Sequence, residues 1–150
     1  AMNPPTATGG PVRKMSRISR PLLDRIDLTI GVDPVEIADL QGTRPKNAET
    51  SEAIRKRILA ARGWQRKRFE GTKLVTNAAM DVRHIDAICP LDKACSELLR
   101  KAAEKLGLSA RAYHRTIKVA RTIGDLAGAE RIEVSHLAEA LQYRQNIEEP

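Results

Sequence analysis

The run Leu108-Ser109-Ala110-Arg111-Ala112-Tyr113-His114-Arg115 contains a stop and a restart. Gly107 closes one helical pattern, and Ser109 is placed to cap the next. Arg111 then falls two residues inside the new helix. The free N–H groups and the macrodipole already make that end positive, so a cation there is disfavoured unless an anion sits opposite. A helix N-terminus with an arginine beside it can bind phosphate. The competing reading is an exposed arginine whose stem covers apolar surface.

Arg25 stands in Pro21-Leu22-Leu23-Asp24-Arg25-Ile26, which suits a short helical turn with proline at its first position. An arginine presented this way could reach a phosphate on a neighbouring subunit, as arginine fingers do. It could equally be a solvated arginine. His84, His114 and His136 share no ligand spacing and read as core or surface histidines. Cys89 and Cys95 form neither CxxC nor a His/Cys cluster, so no metal site is expected. Two cysteines without a scaffold fit a reduced, cytoplasmic protein. The sequence contains no GxxxxGK[S/T] and no apolar run ending in Asp-Glu, so this chain alone is not expected to hydrolyse ATP.

A third feature is the helix expected from about Glu52 to Phe69, capped by Thr50 or Ser51. Ile54, Ile58, Ala61 and Gln65 fall on one line at helical spacing, while Arg55, Lys56, Arg57, Arg62, Arg66, Lys67 and Arg68 occupy the other faces. Arg55, Arg62 and Arg66 are the candidate nucleic-acid contacts; a solvated face is the alternative. The aromatic share of 3% argues against a dedicated single-strand reader, which needs rings to stack on bases.

Composition bounds what can position these groups. The chain of 150 residues is one domain with an appendage, and its net charge of +7 favours anionic partners. A hydrophobic share of 41% with few aromatics implies a core of Ala, Leu, Ile and Val, which suits helices. No apolar run approaches about 18 residues, so no membrane span is expected.

In order, residues 1–12 read as a disordered arm, followed by the basic cluster Arg13, Lys14, Arg17 and Arg20. Asp27 to Val32 alternates and predicts a strand. One strand cannot satisfy its own backbone, so residues 13–48 read as the remnant of an α/β core plus a linker from Asp33 to Asn47. Residues 49–150 read as a bundle of four to five helices. After the first helix, Thr76 to Met80 is a connector and Asp81 to Ile88 a short helix. Asp92 caps a helix with Cys95, Leu98, Leu99, Ala102 and Leu106 inward, closed by Gly107 with Leu108 folding back. The Ser109 helix runs to about Ala127, with Tyr113, Ile117, Ala120, Ile123 and Ala127 as its core stripe. Arg111, Arg115, Lys118 and Thr122 form a separate basic stripe. Ser135 caps a last helix with Leu137, Ala138 and Leu141 inward, and the tail from Asn146 is acidic.

Ile18-Ser19-Arg20-Pro21-Leu22-Leu23-Asp24-Arg25-Ile26-Asp27-Leu28 resembles the segment leading out of the ATPase core in the magnesium-chelatase-related AAA+ ATPases, in particular the ComM-type competence branch. The usual form has glycine where Arg20 stands. Cys89-Pro90-Leu91-Asp92, the run from Leu106 to Arg115 and the run from Lys118 to Leu126 resemble that family's C-terminal helical lid, as does the stretch from Ile132 to Arg144. The resemblance covers residues 13 to 145. It implies that Arg111 is a sensor-2 residue contacting the terminal phosphate of ATP, with Arg115 beside it, and that Arg25 is an arginine finger acting in trans. It further implies ATP with Mg2+ as the cofactor of the intact ATPase, with no tight binding by this chain alone. The implied partners are the AAA+ core or neighbouring ring subunits, with DNA as a possible target. The P-loop, Walker B and sensor-1 segments of the family are absent from the sequence. The alternative is a basic helical module that binds nucleic acid or regulates a ring by docking on it.

Overall fold

The computed structural model describes residues 25–32 and 49–145. The expected arm, the basic cluster up to Arg20, the linker from Asp33 to Asn47 and the acidic tail lie outside the described residues. Among the described residues there are five α-helices and one 3-10 turn: α1 Ser51–Arg68, the turn Asn77–Ala79, α2 Val82–Ile88, α3 Lys93–Leu106, α4 Ala110–Ala127 and α5 Val134–Gln145. None of these helices is long and apolar enough to cross a membrane.

Side-chain caps set where the helices begin. Thr50 Oγ1 accepts the Ala53 N–H at 3.2 Å, Asp81 Oδ1 the His84 N–H at 3.0 Å and Asp92 Oδ1 the Cys95 N–H at 2.7 Å. Ser109 Oγ accepts the Ala112 N–H at 3.1 Å. The last helix departs from expectation. It starts at Val134, so Ser135 lies inside it. There the Glu133 N–H donates to His136 Nδ1 at 3.1 Å. His84 Nδ1 accepts the Asp81 N–H in the same way at 3.4 Å, closing a capping box. Two of the histidines thus take the place that glutamate or glutamine usually holds.

The helix ends follow from glycine. Gly107 adopts φ 58°, and the Leu108 N–H folds back to the Ala103 carbonyl at 3.0 Å, the expected Schellman arrangement. Gly128, at φ 73°, ends α4 with the Ala129 N–H on the Gly124 carbonyl at 2.8 Å.

Helix α4 is the centre of the bundle, packing on α1, α2, α5 and the 3-10 turn, while α3 packs on α5. The core gathers Phe69, Met80, Ile85, Leu99, Ile117, Ala120, Ile132, Leu137 and Leu141. Leu99 and Leu137 are wholly excluded from solvent, and each such burial contributes about 1.5–3 kcal/mol. Cys89 and Cys95 are free thiols inside this core.

Three further sequence expectations are corrected. Residues 27–32 form no strand: among the described residues no strand lies beside them, and the Thr29 N–H instead donates to the Tyr143 carbonyl of α5 at 3.2 Å. Ile54 and Ile58 are exposed although Ala61 and Gln65 on the same line are buried, because residues 51–60 of α1 run past the part of the helix that the bundle covers. Ala127 is exposed at the end of α4. In exchange, α4 buries a second, polar face made of Thr116, Arg121, Gly124 and Asp125.

Candidate phosphate-binding face and its buried support

The first turn of α4 presents Arg111 to solvent. No described side chain pairs with its guanidinium. The Ser109 hydroxyl takes the Ala112 N–H and the Ser109 carbonyl takes that of Tyr113. The N–H groups of Ala110 and Arg111 remain directed out of the helix end. A cation and a positive helix pole coincide here, which suits an oxyanion.

The rest of the predicted basic stripe is engaged. Arg115 Nη1 donates to the Arg25 carbonyl at 2.8 Å and pairs with the Asp27 carboxylate. Lys118 Nζ donates to the Ala78 carbonyl at 3.1 Å, and burial, reinforced by the Arg115 charge, holds its ammonium below the usual lysine range. The Thr122 hydroxyl donates to the Lys118 carbonyl at 2.9 Å and accepts from Asn77 Nδ2 at 3.1 Å. Beyond Arg111, then, the stripe is a seam that holds the 25–32 segment and the 3-10 turn against α4. Arg25 itself is exposed, and its side chain has no described partner. The seam therefore brings the segment bearing Arg25 to the helix bearing Arg111.

Below this surface lies a polar cluster that sequence reasoning did not assemble. Asp125 is fully buried and accepts from Arg68 Nη1 at 2.8 Å, Asn77 Nδ2 at 2.8 Å and Arg121 Nε at 3.1 Å. Burial pushes its carboxyl upward, but the bonds from Arg68 and Asn77 and the charges of Arg68 and Arg121 outweigh that and hold it below the ordinary carboxylate range. Arg121 also ties down the loop that follows α4, donating to the carbonyls of Ala129 at 2.6 Å and Glu130 at 3.0 Å. Arg68, placed from sequence among the basic residues on the other faces of α1, is thus an internal strut. The spacing of Arg121 and Asp125 was the available signal; Asn77, in an apparent connector, gave none.

Arg55, Arg62 and Arg66 are exposed on α1, alongside Trp64, whose ring lies 6.0 Å from Lys67 Nζ. His114 packs edge-on against Tyr113, with a centroid distance of 5.6 Å.

The described residues offer guanidinium and N–H donors of the kind that bind an oxyanion. Asp27 and Asp125 are committed to arginines, and among the described residues no three His, Cys, Asp or Glu side chains gather for a metal.

Known proteins extend this picture. The family described as "Magnesium chelatase, subunit ChlI C-terminal" matches residues 48–144. Competence protein ComM of Haemophilus influenzae is 44% identical over 133 residues, 89% of this chain and 25% of that protein. YifB proteins of Salmonella typhimurium and Escherichia coli are each 37% identical over the same length, again 25% of their own. The chain thus spans about a quarter of the relatives it matches. With most of its helical bundle inside the match, this chain belongs to the magnesium chelatase ChlI C-terminal family, in its ComM-like branch.

Proposed function

We propose that this chain is the C-terminal helical lid of a magnesium-chelatase-type AAA+ ATPase, acting in a cytoplasmic ring on DNA or a partner protein. The observation that carries this reading is Arg111, an exposed cation at the positive end of α4 with no partner among the described residues. Such a placement disfavours folding electrostatically and is useful against an anion. ATP with Mg2+, when bound by the core, supplies the phosphoanhydride that is cleaved. Arg111 would contact the terminal phosphate in its own subunit as sensor 2. Arg25 would project to the neighbouring subunit as a finger and stabilise charge developing there. Arg115 supports both from the seam. The test is Arg111→Ala and Arg25→Ala, made separately in the full-length ATPase. ATP turnover should fall by at least about tenfold in each, as expected for loss of a group used in the transition state. Unchanged turnover in both would overturn the reading.

A second reading rests on the solvent-facing side of α1, where Arg55, Arg62 and Arg66 are exposed along its length. These residues would contact nucleic-acid phosphates. Duplex and forked DNA are titrated at two salt concentrations, against a variant with all three changed to glutamine. Salt-sensitive binding that the variant loses supports this face. Binding that the variant keeps assigns the contacts elsewhere.

A further inference from the structure

The seam between α4 and the 25–32 segment has an asymmetry. Arg115 grips that segment by two groups at once, the carboxylate of Asp27 and the backbone carbonyl of Arg25. Holding the Arg25 carbonyl restrains the backbone from which the Arg25 side chain leaves. The Thr29 N–H on the Tyr143 carbonyl anchors the same segment to α5. Arg115 also lies one helical turn from Arg111 on the same stripe. Both contacts are made by one guanidinium nitrogen, Nη1, whose N–H bonds are fixed in the guanidinium plane, whereas those of a lysine ammonium rotate freely. Yet the pair is partly solvated, with the side chains of Arg115 and Asp27 24% and 48% exposed. Pairs of that exposure contribute little to folding, so the grip adds more to orientation than to stability.

We infer that Asp27 and Arg115 are positioning residues that couple the Arg111 turn of α4 to Arg25, so that occupancy of one subunit's phosphate site sets the reach of the arginine offered to the next. This inference rests on the lid reading above. It places the communication between subunits inside one chain, through one guanidinium group.

The experiment is a double-mutant cycle in the full-length ATPase with Asp27→Ala, Arg115→Ala and both together, plus Arg115→Lys. Each single change should lower kcat for ATP by about three- to tenfold and flatten its cooperative dependence on ATP, with KM changed less than about twofold. The double variant should be no worse than the poorer single, since the two residues act as one unit. Arg115→Lys should keep the charge and still lose most of the cooperativity. In the present chain, the Thr29 amide should lose hydrogen-exchange protection in Asp27→Ala while the Leu99 and Leu137 amides keep theirs. Additive effects in the cycle, or kcat and cooperativity unchanged while Thr29 loses protection, would overturn the inference. Silence of Arg111→Ala and Arg25→Ala would instead place the failure in the lid reading. A normal response of those two with a silent Asp27–Arg115 cycle places it in the coupling alone.

Discussion

Arg68 Nη1 lies 2.8 Å from Asp125 Oδ2, joining the end of α1 to the end of α4 across 57 positions of sequence. The carboxylate is wholly buried and also serves Asn77 and Arg121. Removing a buried acceptor of this kind leaves two guanidinium groups without their counter-charge. Asp125→Asn should therefore lower the unfolding free energy by about 3–5 kcal/mol, read from the urea midpoint.

The same carboxylate sets an acid dependence. Its folded pKa lies below the ordinary value of 3.8. The stabilisation is therefore fully present above that value and is lost as pH falls through the lower, folded one. Stability measured between about pH 5 and pH 2 should fall more steeply for the natural chain than for Asp125→Asn. Equal slopes would show that the Arg68–Asp125 pair is not linked to folding.

Two helix glycines should respond oppositely to alanine. A Cβ at Gly63 meets nothing within 4 Å, so Gly63→Ala should stabilise by about 0.5–1 kcal/mol through helix propensity. A Cβ at Gly124 would lie 2.9 Å from Arg121 Nη2 and 3.3 Å from His136 Nδ1. Arg121 is held by the carbonyls of Ala129 and Glu130 and cannot retreat without breaking those bonds. Gly124→Ala should destabilise by about 1–3 kcal/mol despite the better helix former. Thermal midpoints of the two variants decide the matter.

The start of α4 separates a folding residue from a ligand-reading one. Ser109→Ala removes the cap on the Ala112 N–H and should lower stability by about 1 kcal/mol. Arg111→Ala removes no described contact and should leave stability within about 0.5 kcal/mol. Denaturant titration distinguishes them, and a large loss in Arg111→Ala would make that arginine structural.

The thiols should be inert in the folded chain. Burial, with the neighbouring Asp92 carboxylate, pushes Cys95 up to about 11, and its Sγ sits 3.7 Å from the Ile132 carbonyl. Burial likewise raises Cys89. Alkylation at pH 8 should be slow for both and become rapid in denaturant, because only the thiolate reacts. Fast native labelling would reveal local opening around α3.

What the sequence by itself determined were the features set by near neighbours along the chain. Thr50, Asp92 and Ser109 cap helices because each bonds an N–H three residues ahead, and Gly107 and Gly128 close them because glycine tolerates the left-handed turn. Arg111 was legible for the same reason, since its oddity is local to a helix end. Tertiary structure decided which stretches of a correct helix are covered. Ile54 and Ile58 continue the line of Ala61 and Gln65 but lie beyond the bundle, and periodicity cannot report where a neighbouring helix stops. Only the fold could pair Arg68 with Asp125, seat Asn77 between them, or turn Asp27–Val32 from an expected strand into a segment held by Arg115 and Tyr143. Those contacts join residues distant in sequence, and their strength comes from burial and from the meeting of charges, neither of which exists until the helices have packed.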